Sequence, residues 1–202
     1  MFLMKKTLLL LLFPCFIFAQ KSKPVSLFNG KNLDGWIVYG TEKWYVEDGL
    51  LVCESGPDKG YGYLGTEKSY KDFELTLEFF PEDNGNSGVF FHSTIEGTRV
   101  SGWQAEVAPP GHFSGGIYES YKRGWLIKPG KELDNVKMQA WNTMKIRVLG
   151  DEVTTWVNGV QMVMLKDPVF AESDGKIALQ IHDGGGIKVK WRALKLKPLK
   201  AG

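Results

Sequence analysis

The sequence predicts an all-β domain, an antiparallel two-sheet sandwich of jelly-roll type, from three observations. No long stretch sets apolar residues at i, i+3, i+4 and i+7, so amphipathic helices are not expected. Short alternating runs of apolar and polar residues recur instead, about a dozen of them. Asp48-Gly49 and Asn158-Gly159 each separate two such runs, which is the chemistry of a two-residue hairpin turn.

The runs follow one another at near-regular spacing. WYVEDGLLVCES (44–55) reads as strand, turn, strand. DFELTLEFFP (72–81) alternates Phe73, Leu75, Leu77 and Phe79 against Glu74, Thr76 and Glu78, one buried face and one wet. SGVFFHST (87–94), GWQAEVAP (102–109) and GGIYES (115–120) come next. The stretch 142–165 supplies three strands, GKIALQIHD (175–183) another, and 187–196 the last. Gly184, Gly185 and Gly186 make the turn into that closing strand. Residues 109–136, rich in Gly, Pro and mixed charge, are expected to form a loop system around the short strand at 116–120, where binding groups tend to collect.

The first nineteen residues read as a signal peptide: Lys5 and Lys6, an apolar run from Thr7 to Phe18, then an abrupt polar turn after Ala19. Residues 20–202 are expected to form one domain, exported to the periplasm or beyond, with no membrane span. A lipid anchor at Cys15 is disfavoured, because Pro14 precedes it and Phe16-Ile17-Phe18 carry the apolar run past it. Without the two leader lysines the chain holds 25 − 2 = 23 basic against 23 acidic residues. That balance argues against nucleic acid, whose phosphates call for a basic excess. Cys53, left as the one cysteine, has no disulfide partner within the chain and is expected to be a buried core thiol.

Strand alternation then groups the polar residues. Asn86, Gly88, Phe90 and His92 share one face; Gln104 and Glu106 share another, opposite Trp103, Ala105 and Val107; Gln180 and His182 oppose Leu179 and Ile181. Any one such pair is ordinarily a solvated face. Amides, an acid and imidazoles together, with Trp103, Phe113, Tyr118, Tyr121 and Trp125 nearby, instead suit a sugar-binding cleft, where rings stack on the sugar's apolar face. No Gly-x-Ser-x-Gly elbow, His-Glu-x-x-His or phosphate-binding glycine loop is present. A divalent metal has candidate ligands in His92, Glu106 and His182, with Asp183 as a further oxygen donor, though without diagnostic spacing. His112 reads as a loop residue within reach of the cleft, and Trp36, Trp44, Trp141 and Trp156 read as core anchors.

Several stretches together resemble a known family. LFNGKNLDGW (27–36), WYVEDGLLV (44–52), DFELTLEF (72–79), NSGVFFH (86–92), GWQAEV (102–107), GGIYES (115–120), WN (141–142), WVNGV (156–160), LQIH (179–182) and VKWRALKLK (189–197) occur in the order found in the 3-keto-disaccharide hydrolase family, also described as 3-keto-α-glucoside 1,2-lyase and 3-keto-2-hydroxyglucal hydratase domains. The resemblance implies a concanavalin-A-like jelly roll, exported, acting on 3-keto-glycosides as small-molecule carbohydrate substrates. Three departures stand out: His92 where members often carry Arg, Gln104-Ala105-Glu106 where Glu-x-Gln is common, and Trp191-Arg192-Ala193-Leu194 in place of a Phe-Arg-Asn-Ile-like closing strand.

The implied chemistry is simple. A ketone at carbon 3 acidifies the proton on carbon 2, and the oxygen on carbon 1 is then a β-leaving group, so no oxocarbenium ion and no carboxylate pair is demanded. On this reading Glu106 or His182 is the base and the other the acid or a metal ligand. Tyr118 donates to the enolate or leaving oxygen, His92 orients the substrate or binds metal, and Asn86, Gln104, Gln180 and Trp103 contact the sugar. The alternative is a non-catalytic, lectin-like module, since a sandwich hosts both and a binder needs rings and amides but no tuned base.

Overall fold

A computed structural model describes residues 23–200; the expected signal segment 1–19 and Cys15 lie outside the described residues. Fifteen strands are described. In chain order they begin with β1 (Val25–Ser26), β2 (Trp36–Tyr39), β3 (Lys43–Glu47), β4 (Leu50–Glu54), β5 (Gly62–Tyr70) and β6 (Phe73–Pro81). The middle of the chain gives β7 (Ser87–Glu96), β8 (Arg99–Val107), β9 (Ile117–Ser120) and β10 (Gly124–Ile127). The rest gives β11 (Asn142–Leu149), β12 (Glu152–Val157), β13 (Val160–Lys166), β14 (Gly175–Ile181) and β15 (Lys188–Pro198).

They form two antiparallel sheets. One is eight-stranded, in the order β13-β12-β11-β6-β15-β4-β3 with β1 added on β15. The other is seven-stranded, in the order β10-β9-β8-β7-β14-β5-β2. This is the all-β, two-sheet sandwich that the alternating runs predict. Beyond that prediction lie β1, β2, β5 and β10, a 3-10 turn at Lys131–Leu133, and one short helix, α1 (Pro168–Glu172). Asp167 caps α1 by accepting from the Val169 N–H at 3.1 Å, and Pro168 fits the first helical position because that residue needs no N–H partner.

The core lies between the sheets and follows the pleat. Phe73, Leu75, Leu77 and Phe79 of β6 face Val89 and Phe91 of β7, Trp103, Ala105 and Val107 of β8, and Leu179 and Ile181 of β14 across one buried cluster. Trp191 of β15 is fully buried, and its indole N–H donates to Cys53 Sγ at 3.5 Å. Burial pushes that thiol up to about 12, so Cys53 is the inert core cysteine expected. A bulge at Ala193, in the left-handed region at φ 53°, lets both Trp191 and Leu194 point inward although they are three residues apart. Trp36 and Trp44 are core residues; Trp141 and Trp156 are not. Those two lie half-exposed, under the Arg192 guanidinium at 3.8 Å and the Lys145 ammonium at 3.7 Å respectively.

Both predicted tight hairpins form, with positive φ at both central residues, Asp48 and Gly49, and Asn158 and Gly159. The second turn also anchors a polar hub. Asn142, fully buried, accepts from the Lys137 N–H at 2.9 Å and donates to the Lys137 and Ala140 carbonyls. Asn158 donates to Asn142 Oδ1 at 2.9 Å and to the Asn135 carbonyl, and accepts from the Thr143 N–H. Two of the family-like motifs therefore carry structural asparagines that tie the 135–140 loop to the sheet. Replacing Asn142 by Ala leaves the Lys137 N–H and the part-buried Lys137 and Ala140 carbonyls without their side-chain partner, and equilibrium denaturation is expected to show a loss of roughly 2–4 kcal/mol.

Candidate functional site

The site lies on the outward face of the seven-stranded sheet. Inward-facing residues of β7, β8 and β14 are committed to the core, so Gly88 and Phe90, Gln104 and Glu106, and Gln180 are committed to the other face. Cross-strand register sets them in two rows. Tyr63, Gln180, Gly88 and Glu106 are successive partners on β5, β14, β7 and β8. Ala178, Phe90, Gln104, Tyr118 and Trp125 are successive partners on β14, β7, β8, β9 and β10. Tyr63 and Phe90 bury with Val100 and Ala178 in a second, smaller apolar cluster, so this is no ordinary wet face.

A cleft of about 540 Å³ opens over these rows. Asn86, Gln104, Glu106, Tyr118, Gln180 and His182 all line it. Its rim comes from the 109–136 region: His112 and Phe113 in the loop, then Tyr121 and Trp125. Trp125 meets Phe113 and Tyr118 edge to face at 5.9 and 5.5 Å. Gly88 is part of the construction, since a Cβ there would stand 2.5 Å from Gln104 Nε2.

His92 and Trp103 are not brought to the cleft. His92 sits at a bulge where β7 shifts register, in the left-handed region at φ 47°. The bulge ends the alternation that would have placed it with Phe90. Its ring packs among Phe73, Phe91 and Trp103, and Nε2 donates to the Lys71 carbonyl at 2.7 Å. Burial lowers its pKa, so the imidazole is neutral there. Trp103, on the core side of β8, packs against Phe170 at 4.9 Å. The metal set His92, Glu106 and His182 is therefore not assembled, and among the described residues no group of three or more His, Cys, Asp or Glu is placed to hold a metal ion.

Electrostatically the floor is built around one acid. Glu106 accepts a hydrogen bond from the Gln104 amide at 2.7 Å and makes no ion pair with the described residues. Burial pushes its carboxyl up to about 8 against the smaller opposing effect of that bond, so at neutral pH it holds its proton. Gln180 is 3% exposed and its Oε1 has no hydrogen-bond partner, an acceptor lining a cleft and left for a ligand. On the other side, His182 Nδ1 lies 2.7 Å from Asp183 Oδ1, and Nε2 lies 3.2 Å from the Tyr61 hydroxyl. Burial pushes both Tyr61 and Tyr63 up to about 12, so both are neutral hydroxyls. These two tyrosines escaped the sequence reading, although Tyr61 and Tyr63 in GYGYLG show the i, i+2 spacing that found the other pairs.

With this geometry in place, comparison with known proteins decides the family. The model of a 3-keto-alpha-glucoside-1,2-lyase-like domain matches residues 23–197. The chain belongs to this family. A curated member-like relative, a 3-keto-disaccharide hydrolase of Bacteroides thetaiotaomicron, is 33% identical over 76 residues, covering 33% of this chain and 26% of that protein. The match thus spans about a quarter of that relative's length. Among solved structures, a Bacillus subtilis protein of unknown function with a galectin-like fold superposes with a TM-score of 0.68 at 15% identity, over 82% of this chain and 90% of that one. The carbohydrate-binding module CBM66 of Bacillus subtilis gives a TM-score of 0.62 at 15% identity, over 81% and 95%. At such identities these likenesses establish the fold of the family domain.

The acid on the floor has a thermodynamic signature. A carboxyl raised from its ordinary value to about 8 binds its proton more tightly folded than unfolded. Stability is then fully present below the unfolded pKa and falls as pH rises toward the folded one. E106Q keeps the acceptor for Gln104 and removes the ionisation. Its Tm advantage over wild type is expected to grow between about pH 5 and 8, reaching roughly 2–4 kcal/mol in stability. Thermal melts across that range check it, and a pH-independent difference would show that Glu106 is not held protonated.

Proposed function

We propose that the domain cleaves 3-keto-glycosides by β-elimination across carbons 1 and 2, followed by hydration. The observation that carries the reading is Glu106: a carboxyl buried without a cation on the floor of a ring-lined cleft that also holds an oriented imidazole. It is the one carboxylic acid among the cleft-lining residues. Ordinary glycosidases need two such groups flanking the bond. An elimination next to a ketone needs one acid and one base.

The Asp183 carboxylate accepts from His182 Nδ1–H, which leaves Nε2 as the basic atom. The base removes the proton on carbon 2, and that electron pair forms the carbon 1–carbon 2 double bond through the enolate as the glycosidic oxygen departs. Glu106 donates its proton to the departing oxygen. Tyr118, lining the same floor, is placed to donate to the enolate oxygen on carbon 3, while Gln104, Gln180 and Asn86 take hydroxyls. In the return half, Glu106 carboxylate removes a proton from water as it adds at carbon 1, and the imidazolium returns a proton to carbon 2. The product is the free 3-keto sugar. The leader read from residues 1–19 supports action outside the cytoplasm.

A lectin-like module on the same fold needs the rings and amides but has no use for a buried, protonated acid. Incubation with a 3-keto-glucoside is expected to release free 3-keto-glucose with transient enone absorbance. E106Q and H182A are each expected to lower kcat by about 100-fold or more. Binding without turnover by the wild-type protein would instead favour the module. Because the working form of Glu106 is protonated, kcat is expected to fall as pH rises through about 8; a rate flat to high pH contradicts the acid role. G88A, which pushes on Gln104, is expected to raise KM by about tenfold through the lost amide contact.

A further inference from the structure

We propose that the Tyr61 hydroxyl is the atom that takes the substrate proton, relaying its own proton to His182 Nε2 while Asp183 holds the imidazole. The proposal rests on the elimination reading above and names the atom that performs its first step.

The geometry comes from two segments brought together by backbone. His182 and Asp183 follow β14 directly, and Gly184, Gly185 and Gly186, all at positive φ, turn the chain sharply there. Gly184 N–H donates to the Lys59 carbonyl at 3.0 Å, and a Cβ on Gly185 would stand 2.8 Å from the Lys59 side chain. The turn is thereby pressed onto the segment that leads into Tyr61. The tyrosine and imidazole rings then meet with centroids 4.8 Å apart, and the hydroxyl lies 3.2 Å from Nε2.

Nε2 is therefore already engaged. With Nδ1–H given to Asp183 at 2.7 Å, Nε2 carries the lone pair, and the Tyr61 O–H is its donor. An imidazole acting directly on the sugar has to break that bond first. A hydroxyl that lines the cleft, lies 3.2 Å from that base and also hydrogen-bonds the Asp183 carboxylate is placed for the transfer without rearrangement. In the step, the carbon 2–hydrogen bond breaks and an O–H bond forms on Tyr61. The former Tyr61 proton moves to Nε2, and the resulting imidazolium is paired with Asp183. The carbon 2 electrons enter the enolate and expel the glycosidic oxygen, which takes the Glu106 proton. No free tyrosinate forms, which fits a phenol that burial and the neighbouring Asp183 push up to about 12.

Proton removal is separable from cleavage. A 1-deoxy analogue of 3-keto-glucose lacks the leaving group yet retains the acidic carbon 2 proton, whose exchange in D2O is followed by NMR. Wild-type protein is expected to catalyse that exchange. Y61F is expected to lose about 100-fold or more while binding the analogue within threefold of wild type. D183N, on a half-exposed turn, is expected to lower exchange about tenfold and to change the His182 nitrogen shifts to those of the other tautomer. E106Q is expected to lose cleavage at least tenfold more than exchange. Exchange by Y61F within threefold of wild type overturns the relay and leaves the elimination reading standing. Should Y61F not fold, D183N decides, and unchanged exchange with an unchanged tautomer overturns the relay. Absence of exchange in the wild-type protein overturns the elimination reading and the relay with it.

Discussion

The pleat of the seven-stranded sheet is the constraint from which the site follows. Each strand of β7, β8 and β14 must deliver its apolar residues to a core shared with β6, and side chains alternate with a period of two. Once Val89, Ala105 and Leu179 point inward, Gly88, Glu106 and Gln180 have no choice but the outer face. Their register then fixes them in one row. A slip of one residue in β8 or β14 would drive an amide or acid into the core and expose a row of aliphatics. The hydrophobic sandwich and the polar floor are thus one specification read from its two sides.

That floor is held in a condition a folded protein tends to avoid. A carboxyl without a cation and an amide oxygen without a donor are each costly where water is excluded. Rings surround these groups: Phe90 and Tyr63 beneath, Tyr118 and Trp125 at one side, Tyr61 at the other. The cost is local and the compensating burial lies elsewhere, in a core that runs the length of both sheets. What the site gains is preorganisation. Acceptor, acid and imidazole already stand together around the cleft, which is the arrangement the proposed elimination calls for. Gly88 belongs to the same logic, because removing one side chain from the middle of a strand makes room for Gln104 to lie against Glu106.

The sandwich was legible because its signals are local. Asp48-Gly49 and Asn158-Gly159 declare hairpins without reference to anything distant, and β6 shows its two faces in the order of its residues. Six of the residues singled out for the site meet in the cleft for the same reason: Asn86, Gln104, Glu106, Tyr118, Gln180 and His182 all sit on or beside regular strand. Failures occur where regularity breaks down. At His92 a bulge in a left-handed conformation turns the ring into the interior, and no alternation rule carries across it. Trp103 was grouped with the cleft by nearness in sequence although its own parity assigns it to the core. Trp141 and Trp156 read as core anchors from their places near strand starts and turns, but cations from other strands cover them at the surface. Tyr61 precedes a strand rich in glycine and polar residues, too irregular to announce itself, and its partner His182 is 121 positions away.

The departures from the family pattern now differ in weight. The one at His92 falls in the interior, among Phe73, Phe91 and Trp103, remote from the chemistry. The one on β8 falls on the floor. Exchanging Glu-x-Gln for Gln104-Ala105-Glu106 keeps both side chains on the same face, because positions two apart share it. It moves the acid about 7 Å along the strand, out of the row with Phe90 and Tyr118 and into the row with Gly88 and Gln180. The pair remains hydrogen-bonded as a unit, so acid and amide functions both survive. What changes is the position of the acid relative to the aromatic wall of Tyr118 and Trp125. Under the elimination we propose, such a reversal keeps the reaction class and acts on where the leaving group is held.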